Sequence, residues 1–491
     1  MQISPTDLAI LVLYLAGITF FGARFRRGQS TLRDYFLGGR TAPWWALACS
    51  IVATETSALT IISTPGIAYG GNLGFLQVAL GYLVARVILC IVLIPQYFQG
   101  EFYTAYQLLE KRFGMRMRQA GARVFLVTRA LAEGVRISAI GKVVSVAFGT
   151  GDRLSVLIVS ALTILYTLEG GMRAVIWTDV VQFFLYLIGS IAAFILLLHR
   201  IPGGWPEVVQ VAAAAGGKLR VFDFTFSLTQ SYTFWSGLIG GAFLTMATHG
   251  TDQTLVQRLL AARRLRDSNL ALLTSGVVVF IQFALFLVIG VMLFVFAREA
   301  AFPVPSGDPD RIFPSFIVHE IPAGLAGLVL ASVFAMGMSN ASGSLNSLAA
   351  STVIDLRGAS QNAAHPLRLS RGVTLMWGIV LASLGMIRWG PVLVAGLTIA
   401  SITYGGLLGV FLLGTWIRRA NEYGALVGMF TGILAVAAIA IFSVKKFMTP
   451  VAWTWYVLIG TLISFSVGAL ASLLLSRAEL PAAAPRRTNS S

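Results

Sequence analysis

Apolar runs of bilayer-crossing length follow one another along this sequence, and that succession restricts the fold more than any motif does. About thirteen can be marked, at residues 6–24, 43–69, 73–97, 119–148, 154–168, 174–198, 232–250, 270–297, 322–350, 370–387, 390–416, 421–443 and 452–476. A helix needs ~20 residues to cross ~30 Å of hydrocarbon. In lipid every backbone group must find its partner within the protein, which leaves helices or a closed barrel. Runs of this length predict an all-α polytopic membrane protein. With 57% hydrophobic and 11% charged residues, a soluble globule is excluded.

The net charge of +16 does not call for nucleic acid. Basic residues collect in alternate connections: Arg24, Arg26, Arg27, Arg33 and Arg40 after the first run, then Lys111, Arg112, Arg116, Arg118 and Arg123, and so on to Arg486 and Arg487. That bias predicts an outside N-terminus and a cytoplasmic C-terminus, as for an inner-membrane protein. The first run has its charges after it, as a retained span does rather than a cleaved leader. Cys49 and Cys90 lie inside apolar runs and imply no disulfide framework. Residues 199–231 and 298–321 read as outer loops, and the Ala-, Pro-, Arg- and Ser-rich tail 478–491 as disordered.

The second run, PWWALACSIVATETSALTIISTPGIAYGG, begins as a span and then places Thr54, Glu55, Thr56 and Ser57 near mid-membrane. Such groups face a water-filled cavity or bind something, and a helix unwound there offers backbone carbonyls to a cation. Glu55 requires a compensating positive charge. A bound sodium is favoured; Arg136 or Arg86, or a cationic group on a solute, are the alternatives. Run seven also reads as interrupted, with Gly237, Gly240 and Gly241 before the polar stretch Thr245 to Gln253. Runs two and seven then stand as the opening helices of two inverted halves, residues 43–198 and 232–416. Residues 1–42 add a first span and loop, and 417–477 two closing spans.

Two further runs carry polar groups. In the ninth, Ser339, Ser342 and Asn346 share a helix face; Ser339, Asn340 and Ser342 suit a cation site, and Gly343 and Ser344 a small-residue packing seam. In the fourth, Arg129, Glu133 and Arg136 fall on one face. They either pair with one another or free the deeper Arg136 to clamp a solute carboxylate. Asp179 adds a carboxylate near the end of run six. The four histidines show no metal-ligand spacing, and phosphate-binding or hydrolase motifs are absent. Enzyme chemistry and an ATP-driven pump are therefore not expected.

Several ordered motifs give the chain a likeness to a known group. They are Gly38-Gly39-Arg40, TAYQLLEKRFG from Thr104 to Gly114, GGMRAVIWTDVVQ from Gly170 to Gln182, GTDQTLVQR from Gly250 to Arg258, and SLNS followed by Asp355. Over nearly its whole length the chain resembles bacterial members of the sodium:solute symporter family, which move proline, sugars, pantothenate or sialic acid with sodium. The resemblance implies a LeuT-type inverted-repeat core of ten helices within the thirteen. It implies a sodium site at Ala53, Thr56, Met336, Ser339 and Asn340, the first three through carbonyls, with asparagine standing where serine or threonine is usual. A second sodium site would fall on Asp179, Ser339 and Ser342, although Gly343 lacks the expected hydroxyl. The solute site would comprise Ser57, Thr60 and Arg136, with Glu55 matching an acidic position of the proline carriers. The expectation is a sodium-coupled symporter in the lipid bilayer that imports a small polar solute bearing a carboxylate, with no obligate protein partner. A neutral-sugar symporter is the alternative within the class, and a sodium-permeable channel or a non-transporting sensor the alternative outside it.

Overall fold

A computed structural model describes residues 4–26, 31–299, 309–357, 366–387, 389, 392–445 and 447–475. Helices cover every one of the thirteen apolar runs, and no strand is present among the described residues. They are α1 (Pro5–Ala23), α2 (Trp44–Glu55), α3 (Ala58–Gly70), α4 (Leu76–Val92), α5 (Met115–Phe148), α6 (Asp152–Arg200), α7 (Phe234–Thr251), α8 (Gln253–Leu260), α9 (Leu265–Glu299), α10 (Leu325–Ala350), α11 (Pro366–Gly385), α12 (Val392–Trp416), α13 (Glu422–Val444) and α14 (Tyr456–Leu475). Among the described residues seven helices are long and apolar enough to cross a membrane, and up to nine if each bent pair is one crossing. The tail at 478–491 lies outside the described residues.

The second run breaks where its polar residues predicted. Thr56 is extended, with φ −77° and ψ 94°, between α2 and α3, and the two pieces meet at 58°. The seventh run ends in a break as well, inside its polar stretch and not at its glycines. Its glycines do not interrupt it: α7 continues through them to Thr251, and the break falls at Asp252, extended with φ −78° and ψ 122°. The glycines instead bring two backbones together. A Cβ on Gly241 would lie 2.3 Å from the Val78 carbonyl of α4, and one on Gly237 would lie 2.7 Å from the Gln77 carbonyl carbon. On the facing helix, a Cβ on Gly81 would meet the Leu238 carbonyl at 2.5 Å. Small residues permit this approach where lipid supplies no hydrophobic drive between helices.

Other features refine the sequence reading. The fifth and sixth runs form one long element, α6, that breaks at Gly171, whose φ of 56° is open only to residues without a Cβ. The stretches read as outer loops contain the helices Gly204–Ala214 and Ile312–Glu320, since their apolar residues Val208, Ala212, Phe313 and Phe316 have a core to bury against. The helix α10 is the most enclosed, with all residues from Val329 to Ala350 buried, and it continues through a π-helical turn, Ser351–Leu356. Two closing helices pack on glycines as well: a Cβ on Gly428 of α13 would lie 2.4 Å from the Ser464 carbonyl of α14.

The contact between α4 and α7 sets a test. Gly241→Ala forces those backbones apart and is expected to cost about 1–3 kcal/mol, lowering the apparent melting temperature of purified protein by several degrees. Gly17→Ala, where nothing lies within 4 Å, is expected to leave it unchanged.

Candidate functional site

A cavity opens beside the α2–α3 break. Thr54, Glu55, Ser57 and Thr60 line it from the broken run, Arg129 and Arg136 from α5, and Thr245, Thr248, His249 and Asp252 from α7 and its break. Phe75, Tyr82, Phe283, Leu393, Leu397 and Tyr404 supply apolar and aromatic walls. A mostly apolar chamber with a few convergent polar groups is the usual form of a small-molecule site.

Each carboxylate near this chamber faces a guanidinium. Glu55 pairs with Arg86 of α4, and His249 Nε2 stands 3.3 Å from the same Glu55 oxygen. Arg86 also donates to the Tyr82 carbonyl at 3.2 Å and lies over Gly276, where a Cβ would meet its Cδ at 2.6 Å. Arg86 is therefore the positive charge that compensates Glu55, in place of the sodium favoured from sequence. Glu133 lies 3.3 Å from Arg129 and 3.4 Å from Arg136, and it accepts from Ser344 at 2.7 Å. Ser344 also accepts from Arg129 Nε and Nη2, at 2.8 and 2.7 Å. The packing seam expected at Ser344 is in fact part of an ionic network, because α10 turns this hydroxyl toward the charged face of α5.

The ion-site candidates on α10 converge with the break. Asn340 Nδ2 donates to the carbonyls of Ala53 at 3.1 Å, Thr56 at 3.5 Å and Met336 at 3.1 Å. Its Oδ1 accepts from Arg136 Nη1 at 3.0 Å. Ser339 donates to Asp179 Oδ1 at 2.5 Å, which commits its hydrogen and leaves its oxygen lone pairs for an acceptor role. Three carbonyls thus meet at the break, the neutral, hard oxygens that an alkali cation takes in a broken transporter helix, and in this structure the N–H end of the Asn340 amide faces them.

The residues suggested for a second ion are arranged differently. Asp179 Oδ2 accepts from Ser50 at 2.5 Å and from Arg258 Nη2 at 3.0 Å, both fully buried. Ser342 bonds to its own helix, donating to the Ser339 carbonyl at 3.0 Å. Gly343 has no side chain because Arg258 fills the space: a Cβ there would lie 2.6 Å from Nη2. Sequence alone does not single out Arg258, His249, Asp252 or Tyr404. Asp252 and Arg258 sit in the Gly250–Arg258 motif, which is the available signal. Tyr404 donates to Asp252 from α12, and nothing in its own helix announces this.

These elements match known proteins over most of the chain. The model of the sodium:solute symporter family covers residues 35–432. The sodium/sialic acid symporter SiaT of Proteus mirabilis is 30% identical over 495 residues, 96% of this chain and 96% of that protein. The human sodium/iodide cotransporter is 31% identical over 439 residues, 87% of this chain and 67% of that protein. Among solved structures, the substrate-bound, outward-open state of a sodium-coupled sialic acid symporter superposes with a TM-score of 0.87 at 28% identity, over 96% of this chain and 98% of that one. The chain belongs to the sodium:solute symporter family, with an all-helical, LeuT-like architecture.

The Glu55–Arg86 pair can be tested on stability alone. Arg86→Gln leaves a carboxylate in a poorly solvated wall, a loss of about 3–5 kcal/mol, read as a lower melting temperature. Adding Glu55→Gln to that variant is expected to recover most of the loss; no recovery would show that Arg86 acts through its packing and not through its charge.

Proposed function

We propose that this member of the family is a sodium-coupled symporter that imports a small solute carrying a carboxylate, working by alternating access from the central cavity. The observation that carries the reading is Arg136: it reaches the cavity wall while touching Asn340, at the edge of the carbonyl cage. A guanidinium so placed can take a carboxylate with two parallel hydrogen bonds, with Ser57 and Thr60 as hydroxyl partners and Glu55 shaping the wall. One sodium would sit among the Ala53, Thr56 and Met336 carbonyls, Ser339 and Asn340. At Asp179, beside Ser339 and Ser342, the positive charge a second sodium would bring is already supplied by Arg258, so we propose one ion per solute. The sialic acid symporters support a carboxylate; the iodide cotransporter has similar identity and makes a simple anion the nearest competing cargo. In the proposed topology all thirteen helical runs cross a bacterial inner membrane, N-terminus outside, with the basic connections in the cytoplasm.

Purified protein in proteoliposomes tests this. An imposed sodium gradient is expected to concentrate a carboxylate such as N-acetylneuraminate, with a Hill coefficient for sodium near one, whereas a channel only equilibrates ions and a sensor moves neither. Arg136→Gln is expected to raise the KM for a carboxylate by roughly a hundredfold, the scale of losing one partner of a desolvated charge pair. Uptake of a neutral sugar, unaffected by that substitution, would overturn the carboxylate assignment. Ser339→Ala is expected to raise the sodium concentration needed for half-maximal uptake; an unchanged requirement would remove α10 from the ion site.

A further inference from the structure

Asn340 has a different kind of partner at each end of its amide. Three main-chain oxygens, which can only accept, surround Nδ2. Arg136, which can only donate, holds Oδ1 at 3.0 Å. The two ends thus fix each other: reversing the amide would set its N–H groups against a guanidinium. In this orientation two N–H bonds serve three carbonyls, and the amide hydrogens occupy the centre a cation would need. Turned by half a rotation about χ2, the same amide would add an oxygen to the cage. That torsion is two-fold and soft, so the partners, and chiefly Arg136, decide which way it points.

We infer that Asn340 is a two-position amide through which Arg136 controls the sodium cage. The inference rests on the proposed sodium site and on Arg136 as the carboxylate ligand. While Arg136 has no solute, it holds Oδ1 and keeps the N–H end in the cage, which opposes sodium. A solute carboxylate takes the guanidinium, the amide turns, and Oδ1 becomes a ligand. Solute and ion then each raise the other's affinity by one common factor, as linkage requires. The pathway is short: one guanidinium and one amide join the two sites. Serine or threonine at 340 would supply an oxygen whose single hydrogen can rotate out of the cage without help from Arg136, so the cage would accept sodium whether or not solute is bound.

Sodium titration of purified protein in choline buffer, without solute, tests the idea through thermal stabilisation. Asn340→Ser and Asn340→Thr are both used, so that one poorly folded variant does not remove the test. Each is expected to lower the sodium midpoint by about tenfold, within the usual range of such couplings. Arg136→Ala is expected to lower it similarly, and Asn340→Ser/Arg136→Ala no further than either single change. This non-additivity separates the amide switch from the simple loss of a nearby positive charge, which would act equally in both backgrounds. Variants that bind sodium like the parent or more weakly, or whose effects add, would overturn the inference while leaving the sodium site in place. If sodium stabilises none of the proteins, the parent included, the proposed site itself fails and the inference with it.

Discussion

A helix that stops inside a bilayer releases carbonyls that no water can satisfy, and the arrangement around the α2–α3 break follows from that need. Ala53 and Thr56 turn their oxygens toward α10, and Asn340 meets them from a helix 287 and 284 residues away in sequence. The break therefore needs α10 buried beside it along nearly its full length, which is how that helix stands. α10 is in turn held through Ser344 by Arg129 and Glu133 of α5 and through Ser339 by Asp179 of α6. One interrupted helix thus fixes the positions of three others.

The ionic contacts have a common form. Glu55 with Arg86, Glu133 with Arg129 and Asp179 with Arg258 each place a carboxylate against a guanidinium in a low-dielectric setting, with further hydrogen bonds from Ser or a backbone carbonyl. Such pairs give little net stability, but leaving one partner alone is expensive. Their geometric effect is the larger one here. Arg86 ties α4 to the break, and Arg258 ties α8 to α2 and α6 through Ser50 and Asp179. Breaking such a contact during a transport cycle would expose a buried charge, so these joints suit parts that move together as rigid bodies.

The all-helical membrane class was legible in the sequence because hydropathy reports burial in lipid directly. The break at Thr56 was legible too, since hydrocarbon tolerates a carboxylate and three hydroxyls only where they face a cavity or a polar partner. The pairing was not. Periodicity along α10 shows that Ser339 and Ser342 share a face, yet it does not say which helix stands opposite, and the Ser342 hydroxyl turns back to the Ser339 carbonyl of its own helix. Gly237 and Gly241 looked like breakers because glycine serves both bends and close approaches, and only the position of Val78 distinguishes these. Arg258 lay in a visible motif, but its partner Asp179 is 79 residues earlier. Contacts of that separation are set by the packing of whole helices and leave no local pattern.

The contrast between the two ion-site candidates bears on which charge is free to travel. At Asp179 a negative group needs a permanent counter-charge, since a departing ion would leave a bare carboxylate in a dry interior. Arg258 meets that need without ever leaving. The cage proposed at Ala53, Thr56, Met336, Ser339 and Asn340 is different: its groups are dipoles, so an ion could depart without stranding a formal charge, and the Asn340 amide would then hold its N–H groups against the carbonyls, as it does in this structure. A site that must bind on one side of a membrane and release on the other is better built from neutral oxygens with a donor ready to replace the ion. By that argument a cation that leaves in every cycle belongs among the carbonyls at the break, and the positive charge that stays is carried by arginine.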